Sequence, residues 1–199
     1  MASSETDIVN VGLILLGQPT ILRLDDDNDV ARAANALWPD TRDAVLSEHP
    51  WNRCTKILTL SKTPRNPGWV TTERSYSYEY LYPPDCLRIL EPEDDLAKWE
   101  AGVSTTGEAV VWSDVDGLTV KYIFRNTNVS QYSAWLSLAM SKRMAAELAL
   151  PLTASLTKAQ AMMGAYQMHL SRAKGMDGQE QSPVVFTPTT LTDDVRLGG

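Results

Sequence analysis

The sequence has few of the residues on which most catalytic sites depend. Its 199 residues include two cysteines, Cys54 and Cys86, and two histidines, His49 and His169. A cysteine pair without metal-ligand spacing is more often two buried thiols than a disulfide or a metal site. A nucleophile needs a neighbouring base, but His49 directly precedes Pro50, and His169 lies in the predicted last helix as a surface or interface residue. The sequence therefore gives no support for nucleophilic catalysis.

Long apolar runs and an excess of basic residues are also missing. The apolar stretch at residues 11–16 is too short to span a bilayer, and residues 1–6 lack the basic start of a secretory signal. We therefore expect a soluble protein that folds in a cytoplasm. Eighteen basic against 25 acidic residues give a net charge of −7, which argues against sequence-specific DNA binding. None of the 11 glycines forms a phosphate-binding pattern, so nucleotide hydrolysis is not supported either.

The residues that are present predict an α+β fold. Hydrophobic residues make up 43% of the chain and charged residues 22%, as in globular proteins. The pattern predicts a helical bundle of N-terminal and C-terminal helices, an inserted small antiparallel β-domain and an extended C-terminal arm. The corresponding boundaries are residues 1–50 for the N-terminal helices, 51–125 for the β-domain, 126–175 for the C-terminal helical hairpin and 176–199 for the arm.

Helical spacing of apolar residues is clear at both ends of the chain. A first helix is predicted over residues 4–16 and a second up to Glu48, in which Pro39 either kinks the helix or restarts it. The C-terminal helices form a predicted hairpin about Pro151. The first of them carries an apolar stripe that we expect to be buried, formed by Trp135, Leu138, Met144, Ala145 and Leu148.

The middle third has short β-prone runs separated by proline and glycine. They lie at residues 57–60, 76–82, 86–90, 110–113 and 118–124. Residues 114–117 predict a hairpin turn between the last two strands, and residues 61–72 a projecting loop. Asp85 is expected to accept local backbone hydrogen bonds in a turn. Alternation predicts one strand face with four rings, from Tyr76, Tyr78, Tyr80 and Tyr82.

Two acidic clusters raise the possibility of a metal site or a hydrolase site. Asp25, Asp27 and Asp29 resemble the start of a calcium loop, but Val30 and Ala36 stand where that loop needs glycine and glutamate. A solvated helix start is the better interpretation. The second cluster could supply a carboxylate pair for glycoside hydrolysis, although a solvated loop is favoured: Glu91, Glu93, Asp94 and Asp95.

Aromatic residues of the β-domain allow a further interpretation. Trp51, Trp69 and Trp112, together with the tyrosines, could stack on sugars or bases. Aromatic stripes at strand spacing are more often part of a core or of a subunit contact.

Four segments, taken in order, resemble one known family. They are residues 15–19 (Leu-Leu-Gly-Gln-Pro), residues 48–52 (Glu-His-Pro-Trp-Asn), residues 78–88 around Tyr82-Pro83-Pro84-Asp85-Cys86, and residues 135–173 followed by the arm. Each segment is weak alone, but their joint order and spacing are similar to those of the tail tubular protein A family, the head-to-tail adaptors of short-tailed bacteriophages. The similarity covers nearly the whole chain.

The resemblance implies a structural virion protein without catalytic, cofactor or metal sites. Its implied partners are a portal protein above, a tail nozzle protein resembling tail tubular protein B below, and identical subunits in a ring of 12. Double-stranded DNA would pass through the channel without sequence-specific binding, and no membrane is involved. The implied location is the virion tail or neck, with assembly in the host cytoplasm.

Subunits of a ring contact their neighbours through two different surface patches and often through an extended arm. We therefore look for candidate interface residues in the C-terminal helices and in the arm. The candidate residues are Trp135, Met144, Met163, Tyr166, Val184, Val185 and Phe186. The last three are an expected anchor that docks on a neighbour or the portal, whereas a plain hairpin core accounts equally well for the methionines. Two alternatives stay open, a carbohydrate hydrolase using acids such as Glu91 or Asp95, and an aromatic-rich binding module.

Overall fold

The structure is a computed structural model that describes residues 4–63 and 76–180. Within these ranges there are four α-helices and two three-stranded antiparallel sheets, which confirms the predicted α+β class. The helices are α1 (Glu5–Leu15), α2 (Asp29–Ser47), α3 (Ala134–Thr153) and α4 (Leu156–Gly178). The strands are β1 (Thr55–Thr59), β2 (Tyr78–Leu81), β3 (Cys86–Pro92), β4 (Trp99–Val103), β5 (Ala109–Ser113) and β6 (Thr119–Phe124). Most of the predicted loop at 61–72 and residues 181–199 lie outside the described residues.

Local side-chain bonds explain where the first two helices begin. Ser4 Oγ accepts from the Asp7 amide at 3.1 Å and Asp7 Oδ2 accepts from the Ser4 amide at 3.0 Å, a reciprocal capping box. Asn28 Oδ1 caps α2 by accepting from the Ala31 amide at 2.8 Å. Pro39 lies inside α2, which is one helix and does not restart there.

Helix α3 lies at the centre of the bundle, and α1, α2 and α4 each pack on it. The α1 backbone comes so close that a Cβ atom on Gly12 would lie 2.9 Å from the Ser141 carbonyl oxygen. The start of α1 lines the same surface cleft as Thr127 and Val129, which precede α3. Helix α1 therefore runs parallel to α3, whereas α4 returns antiparallel after a tight turn at Ala154 and Ser155.

The buried face of α3 includes Met144, Ala145 and Leu148 of the predicted stripe but not its first two residues. Trp135 and Leu138 are half-buried, whereas Leu136, Ala139 and Met140 have almost no exposed surface. Three helices, α1, α2 and α4, pack on α3. The buried face of α3 is therefore wider than the single stripe of a helix that packs on one side. The turn also lies after the predicted point, since Pro151 is still within α3.

The two sheets have the orders β1–β6–β3 and β2–β5–β4. The predicted hairpin at residues 114–117 is wrong, because β5 and β6 belong to different sheets. Tyr80 on β2 holds this connection in place: its hydroxyl donates to the Val115 carbonyl at 2.6 Å and accepts from the Gly117 amide at 2.9 Å. The connection therefore crosses from one sheet to the other.

Part of the predicted tyrosine face is present. Tyr80 is buried in the β-domain core, and Tyr78 and Tyr82 pack against the same core. Strand β2 is shorter than predicted, and Tyr76 precedes it, with its hydroxyl 3.4 Å from Glu100 Oε2. Strand β4 was not predicted; its central residues, Glu100, Ala101 and Gly102, have low β-propensity, and it forms by pairing along β5.

Candidate interaction surfaces

One end of the bundle exposes a group of apolar side chains. Because α1 is parallel and α4 antiparallel to α3, the end of α1, the end of α3 and the start of α4 lie towards the same end of the bundle. Ile14 is 62% exposed, Leu150 55% and Leu156 62%. We call this the hairpin-end surface and define it by Val11, Ile14, Leu15, Leu150 and Leu156.

The bundle core does not need these residues. Ile8, Val9 and Leu13 of α1 have no exposed surface and supply the contacts with the rest of the bundle. Val11, Ile14 and Leu15 follow the spacing of a second face of the same helix. Single exposed apolar residues are common, but several at one end of a bundle are typical of a contact surface.

A polar clamp joins the end of α4 to the start of the β-domain. The Asn52 amide donates to Asp177 Oδ2 at 3.1 Å, and the Asn52 side-chain amide donates to the Asp177 carbonyl at 2.6 Å. His49 Nε2 lies 3.3 Å from Asp177 Oδ2, and the Trp51 ring packs edge-on against the imidazole. We call these residues the Asp177 clamp. It explains why α4 continues through Gly178, whereas the sequence predicted the arm from residue 176.

The pKa shifts of the ionisable groups in the Asp177 clamp are those of a structural contact between α4 and the β-domain and do not indicate a catalytic site. Burial lowers the pKa of His49, and the attraction of Asp177 offsets part of that effect. Burial raises the pKa of Asp177, although the Asn52 and His49 contacts act in the opposite sense. Burial also raises the pKa of the nearby Cys54 thiol to about 11, so that this thiol stays protonated at neutral pH.

The clamp could not be predicted from periodicity. An acid in the last turn of a helix opposes the helix dipole and is unfavourable unless a tertiary partner compensates. Asp177 is such an acid, and its partner Asn52 lies 125 residues earlier in the chain. The position of an acid in the last turn of a predicted helix is the sequence signal that could have indicated a tertiary partner for Asp177.

The structure separates the predicted interface residues into three groups. Met144 and Tyr166 are buried in the bundle core and present no surface to a partner, which corrects their assignment to the interface. The Tyr166 hydroxyl donates to Glu48 Oε1 at 2.6 Å, so its polar end is satisfied within the chain. Trp135 and Met163 are half-buried and pack against that core. The last group, Val184, Val185 and Phe186, lies outside the described residues.

The acidic clusters are exposed and paired locally. Asp25 lies 2.8 Å from Arg23, and Asp27 and Asp29 each lie 2.7 Å from Arg32. Across residues 4–63 and 76–180, no three His, Cys, Asp or Glu side chains are grouped so that they could hold a metal ion.

The second cluster is also at the surface. Glu91, Glu93, Asp94 and Asp95 are all exposed, and Glu91 faces Lys121 at 3.9 Å. Asp94 accepts from the Leu96 amide at 2.9 Å, as in a local turn. These contacts are those of a solvated surface.

Asp85 joins three strands of the β-domain. Its carboxylate accepts from Lys56 Nζ at 2.7 Å and from the Tyr122 hydroxyl at 3.1 Å. Asp85 lies in a turn and has a hydrogen bond from its own backbone amide, as the predicted local role requires, but its carboxylate also binds side chains of two other strands. Burial raises the pKa of Asp85, but the hydrogen bonds from Lys56 and Tyr122 outweigh it, so that the pKa lies below its usual value.

We expect Asp85→Asn to reduce stability slightly and to change its acid dependence. Because the pKa of Asp85 is lowered in the folded state, its contribution is present above the unfolded-state pKa and is lost as the pH falls through the folded value. Solvent screens the pair, so the loss at pH 7 should be at most about 1 kcal/mol. Urea unfolding of both proteins from pH 7 to pH 3 measures this. A difference that grows as the pH falls would contradict the prediction.

Comparisons with protein-family models and with curated proteins find no match to this chain. None of the helices in the described part of the chain is both long and apolar enough to cross a membrane.

Proposed function

We propose that the chain is a structural subunit of a phage head-to-tail adaptor, a ring between the portal and the tail nozzle through which DNA leaves the head. The hairpin-end surface carries the proposal, because it leaves apolar side chains exposed on a bundle whose core is already complete. The sequence resemblance supplies the class of assembly, and the surface supplies a place for contact with another ring component.

The positions of the four matching segments support the proposal. Residues 15–19 contain the last residue of α1 and the turn that follows it. Residues 48–52 include His49 and Asn52 of the Asp177 clamp. Residues 78–88 contain β2 and lead into β3, and residues 135–173 cover most of α3 and α4. The segments that carry the resemblance thus lie in the bundle, in the β-domain and where the two join, as expected if the similarity reflects a shared architecture.

Two further features suit a ring with a central DNA channel. A ring uses heterologous contacts, which need two different patches on each subunit. Besides the hairpin-end surface, helix α4 exposes Met168 and Met176, whose exposed fractions are 64% and 43%. The net charge of −7 also suits a conduit, because like-charged walls repel phosphates during passage.

The alternatives receive less support from the geometry. A stacking platform needs accessible rings, but Tyr80 and Trp51 are buried and Tyr78 is half-buried. A glycoside hydrolase needs two carboxylates on opposite sides of a cleft, but Glu91 and Asp94 are exposed and have local partners.

The mass of the assembled species tests the proposal. Native mass spectrometry and sedimentation are performed on the chain alone and mixed with the purified portal ring encoded in the same genome. We expect a closed ring, either from the chain alone or in the presence of the portal. A chain that remains monomeric in both samples contradicts the adaptor proposal.

Charge placed on the hairpin-end surface should block assembly without unfolding the chain. We expect Ile14→Glu or Leu156→Glu to weaken ring formation at least about tenfold, since burying an unpaired charge in a contact is unfavourable. The melting temperature should stay unchanged because both side chains are largely exposed. Leu96→Glu is the matched control, because Leu96 is 89% exposed on the β-domain. If all three variants assemble equally, the hairpin-end surface is not the contact.

A further inference from the structure

Strand β1 forms an open edge of its sheet. In the described residues it pairs with β6 on one side, and no described strand pairs with the other side. Its side chains from Lys56 to Thr59 are exposed, with Ile57 66% exposed. An apolar strand edge with unpaired backbone groups favours aggregation, and proteins usually cover such edges. The exposed edge is therefore a place where a further strand could pair.

The chain itself leaves the last helix beside this edge. The Asp177 clamp holds the end of α4 against Asn52, three residues before β1 begins. Glu180 then lies 3.9 Å from Arg53, so that two contacts direct the end of the described chain towards the start of β1. Nineteen residues follow Glu180 in the sequence.

The length and composition of this following segment fit the edge. An extended chain covers about 3.3 Å per residue, so the five residues from Glu180 to Val185 can span about 17 Å. The four residues from Arg53, the partner of Glu180, to Ile57 cover at most about 13 Å. Val184, Val185 and Phe186 are residues that favour strands, and Pro183 and Pro188 bound them as proline bounds strand segments.

We propose that residues 184–187 pair with the free edge of β1 in the same chain and extend the β1–β6–β3 sheet to a fourth strand. The segment starts near Arg53 and runs away from it, in the direction of β1, so the pairing is parallel. Ile57 and Leu58 then receive apolar neighbours on both faces of the sheet. This differs from the expectation of docking on a neighbour or a portal, and it does not depend on the adaptor proposal.

Disulfide capture in the full-length chain tests the proposal. Ile57→Cys is combined with Val185→Cys, and in a second protein with Phe186→Cys, so that both faces of the sheet are sampled. Val103→Cys with Val185→Cys is the matched control, because Val103 is 64% exposed at the end of strand β4 in the other sheet. Peptide mapping after oxidation separates the new disulfide from any link to Cys54 or Cys86.

We expect an Ile57 pair to form an intramolecular disulfide at least about tenfold faster than the control, at a rate independent of protein concentration. Equal rates for the Ile57 and Val103 pairs overturn the proposal. Disulfide-linked dimers whose yield rises with concentration also overturn it, and they assign the β1 edge to the segment of a second copy.

Hydrogen exchange on the unmodified sequence provides a second measurement. In a chain that ends at Glu180, the outward-pointing amides of β1 should exchange at least about tenfold faster than in the full-length chain. The amides of β4 serve as the internal reference, since the deletion should not change them. Unchanged exchange in β1 means that residues after Glu180 do not cover the edge and contradicts the proposal.

Discussion

Replacing Trp51 by alanine is expected to lower the free energy of unfolding by about 3–5 kcal/mol. The ring is 1% exposed in the bundle core, and its Nε1 donates to the Val45 carbonyl at 3.1 Å. The alanine variant loses the packing of the ring and leaves the space that it filled. It also removes the edge-on contact with His49, at 4.7 Å between ring centroids, and so loosens the Asp177 clamp.

Urea unfolding followed by circular dichroism measures this loss. Trp135→Ala is the matched control, because Trp135 is half-buried at the edge of the same core. For Trp135 we expect a loss of at most about 2 kcal/mol, since much of its area is already in water. Equal losses for the two variants would show that Trp51 does not have the structural role that its burial indicates.

Replacing Gly12 by alanine is expected to cost about 1–3 kcal/mol by forcing α1 away from α3. The added Cβ would lie 2.9 Å from the Ser141 carbonyl oxygen and 3.2 Å from the Ala145 amide nitrogen. Both are backbone atoms of a helix and cannot move aside as a side chain can. The intrinsic preference of helices for alanine over glycine acts in the opposite direction and is smaller.

Gly164→Ala on α4 is the matched control for Gly12→Ala. A Cβ at Gly164 meets no atom within 4 Å, so helix propensity alone should act there. We expect this substitution to stabilise the protein by about 0.5–1 kcal/mol. Thermal unfolding of both variants measures the difference in sign. A stabilising Gly12→Ala would mean that α1 and α3 are not held at the close distance described.

The local features of the helices could be predicted from the sequence by itself. Ser4 followed by Asp7 indicates a capping box, and Gly17 follows the first helix with a φ of 71°, a conformation that favours glycine. Such signals act over three or four residues and depend little on distant contacts. The helical ends and the β-prone middle third, and with them the α+β class, follow from signals of this kind.

Strand pairing and the buried face of α3 were decided only by the tertiary structure. Residues 114–117 satisfy the rules for a hairpin turn, but the hydroxyl of Tyr80 holds Val115 and Gly117 and directs β6 into the other sheet. The sequence predicts that Trp135 is buried, but in the structure Leu136 is the buried residue at the start of α3, because three helices pack around α3. These choices depend on competition between distant partners, which local periodicity does not contain.

The candidate surfaces show the same division. The sequence by itself determined which apolar residues exist, but Ile14 and Leu156 are exposed towards the same end of the bundle because α1 runs parallel and α4 antiparallel to α3. Met144 has the same apolar character and is buried because it faces Gly12, where the backbones of α1 and α3 come close together. Asp177 and Asn52 meet across 125 residues of sequence because α4 returns to the start of the β-domain. Exposure and long-range pairing are properties of the packed chain, so only the tertiary structure could decide them.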